Sequence, residues 1–221
     1  MVKPKIMPIF EIFSAPSGTY GNALINWKTQ SANEIVDFAA SYRYAAMNLV
    51  SFREQRGAGT IDHGALPILF LYRHSFELYL KAMVYRAAVL SINDDELVRA
   101  LPRLWREHSL MRLLQMSAPV LQASSSRPLV QSGDLQRQIT TLASKIDDID
   151  PGSYSFRYPV NSKGDSALPK YFLTNIFVFA DEMEGVLDEL SQFCRELEAE
   201  RLQTSPQMKL ALHLISDGAA E

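Results

Sequence analysis

Between Ala65 and Val84 the chain reads ALPILFLYRHSFELYLKAMV, an apolar stretch crossed by one charged row, Arg73, Glu77 and Lys81, at successive spacings of four. In an α-helix that spacing stacks side chains on one face, so Arg73 reaches Glu77 and Glu77 reaches Lys81. Leu66, Phe70, Leu80 and Val84 fall in the same sector as the charges, and Ile68, Leu71, Leu78 and Ala82 occupy the opposite side. A helix that is apolar all round belongs at the centre of a bundle. Charges there cost several kcal/mol each unless they are paired, which makes the row either a device that fixes assembly or part of a site.

The rest of the composition narrows the function classes. At 221 residues and 47% hydrophobic content, one domain with an appendage is the expected organisation. The formal net charge of -3 supplies no global positive field, so any contact with nucleic acid has to be a local patch. The single cysteine, Cys194, excludes a disulfide framework and a thiolate-rich metal site, and fits a reducing cytoplasm. Pro4, Pro8 and Glu11 interrupt the short apolar run at the amino terminus, so a secretory signal is not expected. The central charges make the 65–84 stretch a poor membrane span, and no membrane partner is expected.

Along the chain the pattern is mostly helical. Residues 1–30 read as an irregular extension, residues 31–203 as the helical domain and residues 204–221 as a tail. Ser31 with Glu34 has capping-box spacing before the periodic Ile35, Phe38, Ala39, Tyr42, Ala46 and Val50. Leu66 and Pro67 are expected to open the charged-row helix, with the proline in its first turn. Asn93 and the acids after it look like the start of a short helix broken near Pro102. Another helix starts near His108 and is bent or ended by Pro119, and one from Ser132 carries Leu135, Ile139, Leu142 and Ile146. Tyr154, Phe156 and Tyr158 alternate with polar residues, suggesting a small hairpin near 153–165, and a last helix is expected over about 171–202. The fold class is therefore all-α, a bundle of five or six helices with a small hairpin-like insertion.

Candidate site residues are few. His74 and His108 are candidate catalytic groups, because an imidazole gives or takes a proton near neutral pH. Each also has a bland reading, His74 as a groove histidine and His108 as a helix-start residue. Arg73, Glu77, Lys81, Arg103 and Arg157 are candidate binding residues, with Arg157 in the FRYP segment as the expected further partner of the row. Arg103 precedes His108 by five positions, and Arg56 precedes His63 by seven. The Asp147, Asp148 and Asp150 cluster lacks the glycine and distal glutamate of a calcium loop and reads as a solvated helix end. No phosphate-binding glycine loop, nucleophile elbow or zinc-protease motif occurs, so neither metal nor cofactor is expected.

The YRHSFELYLKA helix with Glu77 and Lys81, followed by the HSL motif at His108, Ser109 and Leu110 and by a long final helix, resembles the HEPN superfamily of helical bundles over roughly residues 31–200. The resemblance implies a homodimer that acts on or binds RNA in a stress, toxin-antitoxin or phage-defence system, with an antitoxin or other protein as partner. It implies either a metal-independent endoribonuclease or its inactive RNA-binding relative. Active members carry arginine, a polar residue and a later histidine near the start of the final helix. Here YFLTNIFVFADEMEGVLDELSQF has neither arginine nor histidine. The competing reading is a non-catalytic interaction or dimerisation module organised by the ion-pair row. A third is small-ligand binding between core helices.

Overall fold

The computed structural model describes residues 35–56, 61–91, 94–123 and 133–203. The expected 1–30 extension, the Ser31/Glu34 capping box, the Asn93 cap and the 204–221 tail lie outside the described residues. Six helices follow in order: α1 (Ile35–Arg56), α2 (Ile61–Ser91), α3 (Asp94–Arg106), α4 (Leu110–Ala123), α5 (Gly133–Asp147) and α6 (Ile176–Gln203). Among the described residues there is no strand, and the architecture is an all-α bundle.

Helix α2 is its axis. It packs on α1, α3, α4 and α6, and is buried almost without interruption from Tyr72 to Val89. Ala82, Ala87 and Ala88 are fully or nearly buried, and small side chains of this kind let neighbouring helices approach. Against it α6 sets Met183, Val186, Leu187, Leu190 and Leu197, while α4 adds Leu110 and Leu113 and α5 adds Ile139 and Ile146. Polar ties fix the helix azimuths. Ser75 Oγ donates to the Ala39 carbonyl of α1 at 2.8 Å, and Arg86 Nη1 donates to the Cys194 carbonyl of α6 at 2.5 Å. Arg43 of α1 pairs with Glu184 and, at 2.7 Å, with Asp188 of α6.

Several boundaries differ from the sequence expectation. α2 starts at Ile61, so Pro67 lies inside the helix instead of in its first turn. α3 likewise continues through Pro102 to Arg106, and α4 through Pro119 to Ala123. A proline removes one intrahelical bond, which for Pro102 is the bond to the carbonyl of Val98, a solvent-exposed residue. The last helix begins five residues later than expected, at Ile176. Asn175 sets that start: its Oδ1 accepts from Phe177 N at 3.1 Å and Val178 N at 3.2 Å. Tyr171 and Leu173 remain outside it, Leu173 98% exposed.

The 153–165 insertion is hairpin-like in a single antiparallel bridge, Val160 with Ser166, closed through Asn161 and Gly164. Gly164 adopts φ 87°, in the left-handed region that glycine enters without a Cβ clash. Tyr154 to Tyr158 is not extended as alternation suggested. It forms a turn in which Arg157 N and Tyr158 N both donate to the Tyr154 carbonyl at 2.9 Å. The Asn175→Ala variant should lower stability by about 1 kcal/mol, since the amides of Phe177 and Val178 lose their cap, and urea unfolding of variant and parent measures this.

Candidate functional site

The charged row lies inside the bundle. Arg73 is 0% exposed, Glu77 1% and Lys81 4%. Glu77 is the hub: its Oε2 accepts from Arg73 Nη1 at 2.5 Å and its Oε1 from Lys81 Nζ at 2.8 Å. The remaining donors are met from other elements. Arg73 Nη2 donates to the His108 carbonyl at 2.6 Å, and Lys81 Nζ to the Trp105 carbonyl at 3.1 Å. Those two carbonyls belong to the α3–α4 corner, which is thereby pinned onto α2.

The fourth charge is Asp150, 0% exposed, whose Oδ2 lies 3.0 Å from Arg73 Nε. Its Oδ1 accepts from Tyr154 N at 2.7 Å and Ser155 N at 2.8 Å. One carboxylate therefore neutralises Arg73 and folds the turn after α5. Ser153, inside that turn, takes φ 61°, a conformation non-glycine residues reach at a cost of about 1–3 kcal/mol. Two buried cations and two buried carboxylates leave the row without net charge.

The solvated helix end expected from the sequence holds for exposed Asp148 but not for Asp147 or Asp150. Asp147 caps the start of α4, accepting from Ser109 Oγ at 2.7 Å, Leu110 N at 3.0 Å and Met111 N at 2.9 Å. The expected partner of the row, Arg157, is elsewhere. Its Nε donates to the Ser153 carbonyl at 2.6 Å, and its guanidinium lies 5.5 Å from the ring centroids of Phe70 and Tyr158. The sequence signal that pointed to Asp150 was its place in a three-aspartate cluster, but nothing local distinguished the buried member from the capping one.

The two histidines occupy different environments. His108 Nδ1 sits 3.0 Å from Glu77 Oε1, while its side chain is 50% exposed. It is a surface group resting on a buried carboxylate. His74 is packed between Tyr42, edge-on with centroids 4.5 Å apart, and Phe70, stacked at 5.5 Å. Its Nδ1 is buried without a hydrogen-bond partner. Burial holds the His74 pKa below its usual value; Glu77 opposes this, and Arg73, Lys81 and Arg157 add to it. Glu77 is the reverse balance: burial alone pushes its pKa up, but Lys81 and Arg73 more than offset that and hold it below the ordinary value. Arg103 stands exposed on α3, apart from the buried row.

Cys194 is fully buried, its thiol pushed up to about 12 by burial, which leaves it unsuited to nucleophilic chemistry. Among the described residues no group of His, Cys, Asp and Glu is arranged to hold a metal ion, and no helix is long and apolar enough to cross a membrane. No protein-family model, curated protein or solved structure matches the chain.

Glu77→Gln leaves Arg73 and Lys81 buried without their shared carboxylate, and should cost about 3–5 kcal/mol in urea unfolding. The acid response has a definite sign. Both His74 and Glu77 have depressed folded values, so each stabilises the fold above its unfolded pKa and loses that contribution as pH falls. Stability should decline in two stages, the first from near the ordinary histidine value of 6.5 and the second below the ordinary glutamate value of 4.5. His74→Phe, which keeps the packing between Tyr42 and Phe70, should abolish the first stage alone in urea midpoints measured across that range.

Proposed function

We propose that the chain is a HEPN-like, RNA-directed protein of a stress or phage-defence system, working as a cytoplasmic homodimer beside an antitoxin or other protein partner. The observation that carries this reading is the contact between Glu77 and His108. A buried carboxylate accepting from Nδ1–H selects the tautomer whose basic atom is Nε2. In metal-independent RNA cleavage, that atom takes the proton of a ribose 2′-hydroxyl as its oxygen attacks the adjacent phosphate, and the bond to the 5′-oxygen breaks, that oxygen leaving as a hydroxyl with a proton from water. The hub that fixes His108 is itself rigid, because Arg73 and Lys81 hold both oxygens of Glu77.

Cations for the phosphate lie on the two helices that flank His108. Arg103 and Arg106 are exposed in the last turns of α3, and Arg112 in the first turn of α4. They form a local basic patch on a chain of net charge -3, the form any nucleic-acid contact of this protein has to take. His74, enclosed by Tyr42 and Phe70, has no part in the proton transfer.

A second reading rests on the neutrality of the row. With every charged headgroup engaged by a partner or a backbone carbonyl, Arg73, Glu77, Lys81 and Asp150 suit an interaction module in which they fix helix register and nothing is cleaved.

Incubation of labelled single-stranded RNA and transfer RNA in chelator with the parent, His108→Ala and His74→Phe proteins separates these readings. Cleavage by the parent and His74→Phe, with a loss of about 100-fold in His108→Ala, is expected. Salt-sensitive binding without cleavage would remove the nuclease and leave an RNA-binding relative. Failure to bind or cleave either RNA would overturn the RNA-directed reading in favour of the interaction module.

A further inference from the structure

Where α2, α3 and α4 meet, a groove of about 910 Å³ opens on the surface. Sites that enclose one small molecule span roughly 300–1,000 Å³. Its floor is apolar, made by Val84 and Ala88 of α2 and Leu97 and Leu104 of α3, all buried, with Met116 of α4 partly so. Its rim is cationic. Arg99 and Arg103 stand four residues apart on one face of α3, and Arg112 faces them from α4, all three exposed.

These arginines have donors to spare. Arg99 Nε donates to the Asp95 carbonyl at 3.1 Å, and Arg112 Nη1 lies 3.7 Å from Glu107 Oε2. Among the described residues, no hydrogen bond or ion pair engages the Arg103 guanidinium. Among the described residues Glu107 is the one carboxylate lining the groove, and its Oε1 already accepts from His108 N at 3.0 Å and Ser109 N at 2.9 Å. Three cations against one committed carboxylate favour an anion. A planar fork of N–H donors matches phosphate oxygens better than a point charge does. The apolar floor asks in addition for a flat, poorly hydrated body, and exposed Gln115 offers an amide able both to donate to and to accept from its edge.

We propose that this groove binds a nucleoside phosphate, with the base against Leu97, Leu104 and Met116 and the phosphate on Arg103, Arg99 and Arg112. The ligand is either a free nucleotide or the terminal nucleotide of an RNA strand. In the second form the proposal rests on the RNA-directed reading, because Glu107, which lines the groove, directly precedes His108.

Calorimetric titration of the full chain tests it. The probes are AMP, ADP, adenosine, inorganic phosphate, and a short RNA with either a 5′-phosphate or a 5′-hydroxyl. Saturable binding of AMP or ADP points to a free nucleotide; binding only of the 5′-phosphorylated RNA points to a strand end. In either case adenosine and inorganic phosphate should bind at least about tenfold more weakly, and Arg103→Glu should weaken the bound probe about tenfold or more with its thermal unfolding unchanged. The proposal is overturned by the absence of saturable binding of every phosphorylated probe at millimolar concentration. It is equally overturned by inorganic phosphate binding as tightly as AMP, or by unchanged affinity in Arg103→Glu. The two readings fail separately. Parent protein that binds or cleaves long RNA but takes up none of the probes sinks the groove alone, whereas AMP binding by protein inert toward long RNA sinks the RNA-directed reading alone.

Discussion

A carboxylate with almost no access to water, Glu77, sets the terms for everything built around it. Isolated in an apolar interior its charge would cost several kcal/mol, and it stays ionised because Arg73 and Lys81 sit one turn away on either side. Those two cations bring surplus donors into the core, and every surplus donor needs an acceptor from another segment. The backbone carbonyls of His108, Trp105 and Asp150 provide them, and the Asp150 carboxylate adds a second negative charge beside Arg73. Burial of three charges on one helix thus dictates where the α3–α4 corner and the segment after α5 are placed.

The placement passes outward from there. Asp150 uses one oxygen for Arg73 and the other for the amides of Tyr154 and Ser155, so the turn that contains strained Ser153 depends on the same arginine as the helix pairing. Asp147, three residues earlier, fixes the start of α4 through Ser109, Leu110 and Met111. Asp147 thus holds the HSL segment directly, while Asp150 meets it only through Arg73, which donates to the His108 carbonyl. His108 is then left with its backbone carbonyl on Arg73, its Nδ1 on Glu77 and half its side chain in solvent. A histidine so anchored keeps one ring orientation, which is the physical requirement for proton transfer at a defined atom.

The groove beneath α3 and α4 shares this corner. The Trp105 carbonyl that accepts from Lys81 lies in the last turn of the helix carrying Arg99 and Arg103, and Glu107 lines the groove while its carboxylate accepts from the amides of His108 and Ser109. The basic residues are thereby displayed on a rigid support instead of on a loop. In an acidic chain, that concentration of arginine on one corner is the feature that an anionic ligand would find.

Much of this was legible in the amino-acid sequence, for a definite reason. Helical period and four-residue charge spacing are local properties, so the bundle, the central position of α2 and the Arg73–Glu77–Lys81 row follow from the order of residues alone. Prolines 67, 102 and 119 misled the boundaries because the tertiary packing of α2, α3 and α4 offsets the single hydrogen bond each removes. What tertiary structure decided is the neutralisation of the row. Asp150 and Arg157 both lie far from it in sequence, and only the folded path of the chain after α5 makes the aspartate the buried partner and sends the arginine over Phe70. The same holds for His74 and His108. Sequence offers two imidazoles of equal standing, and the fold encloses one between aromatic rings and sets the other on a carboxylate at the surface. Burial and partner are properties of three-dimensional neighbours, which residue spacing along one helix does not encode.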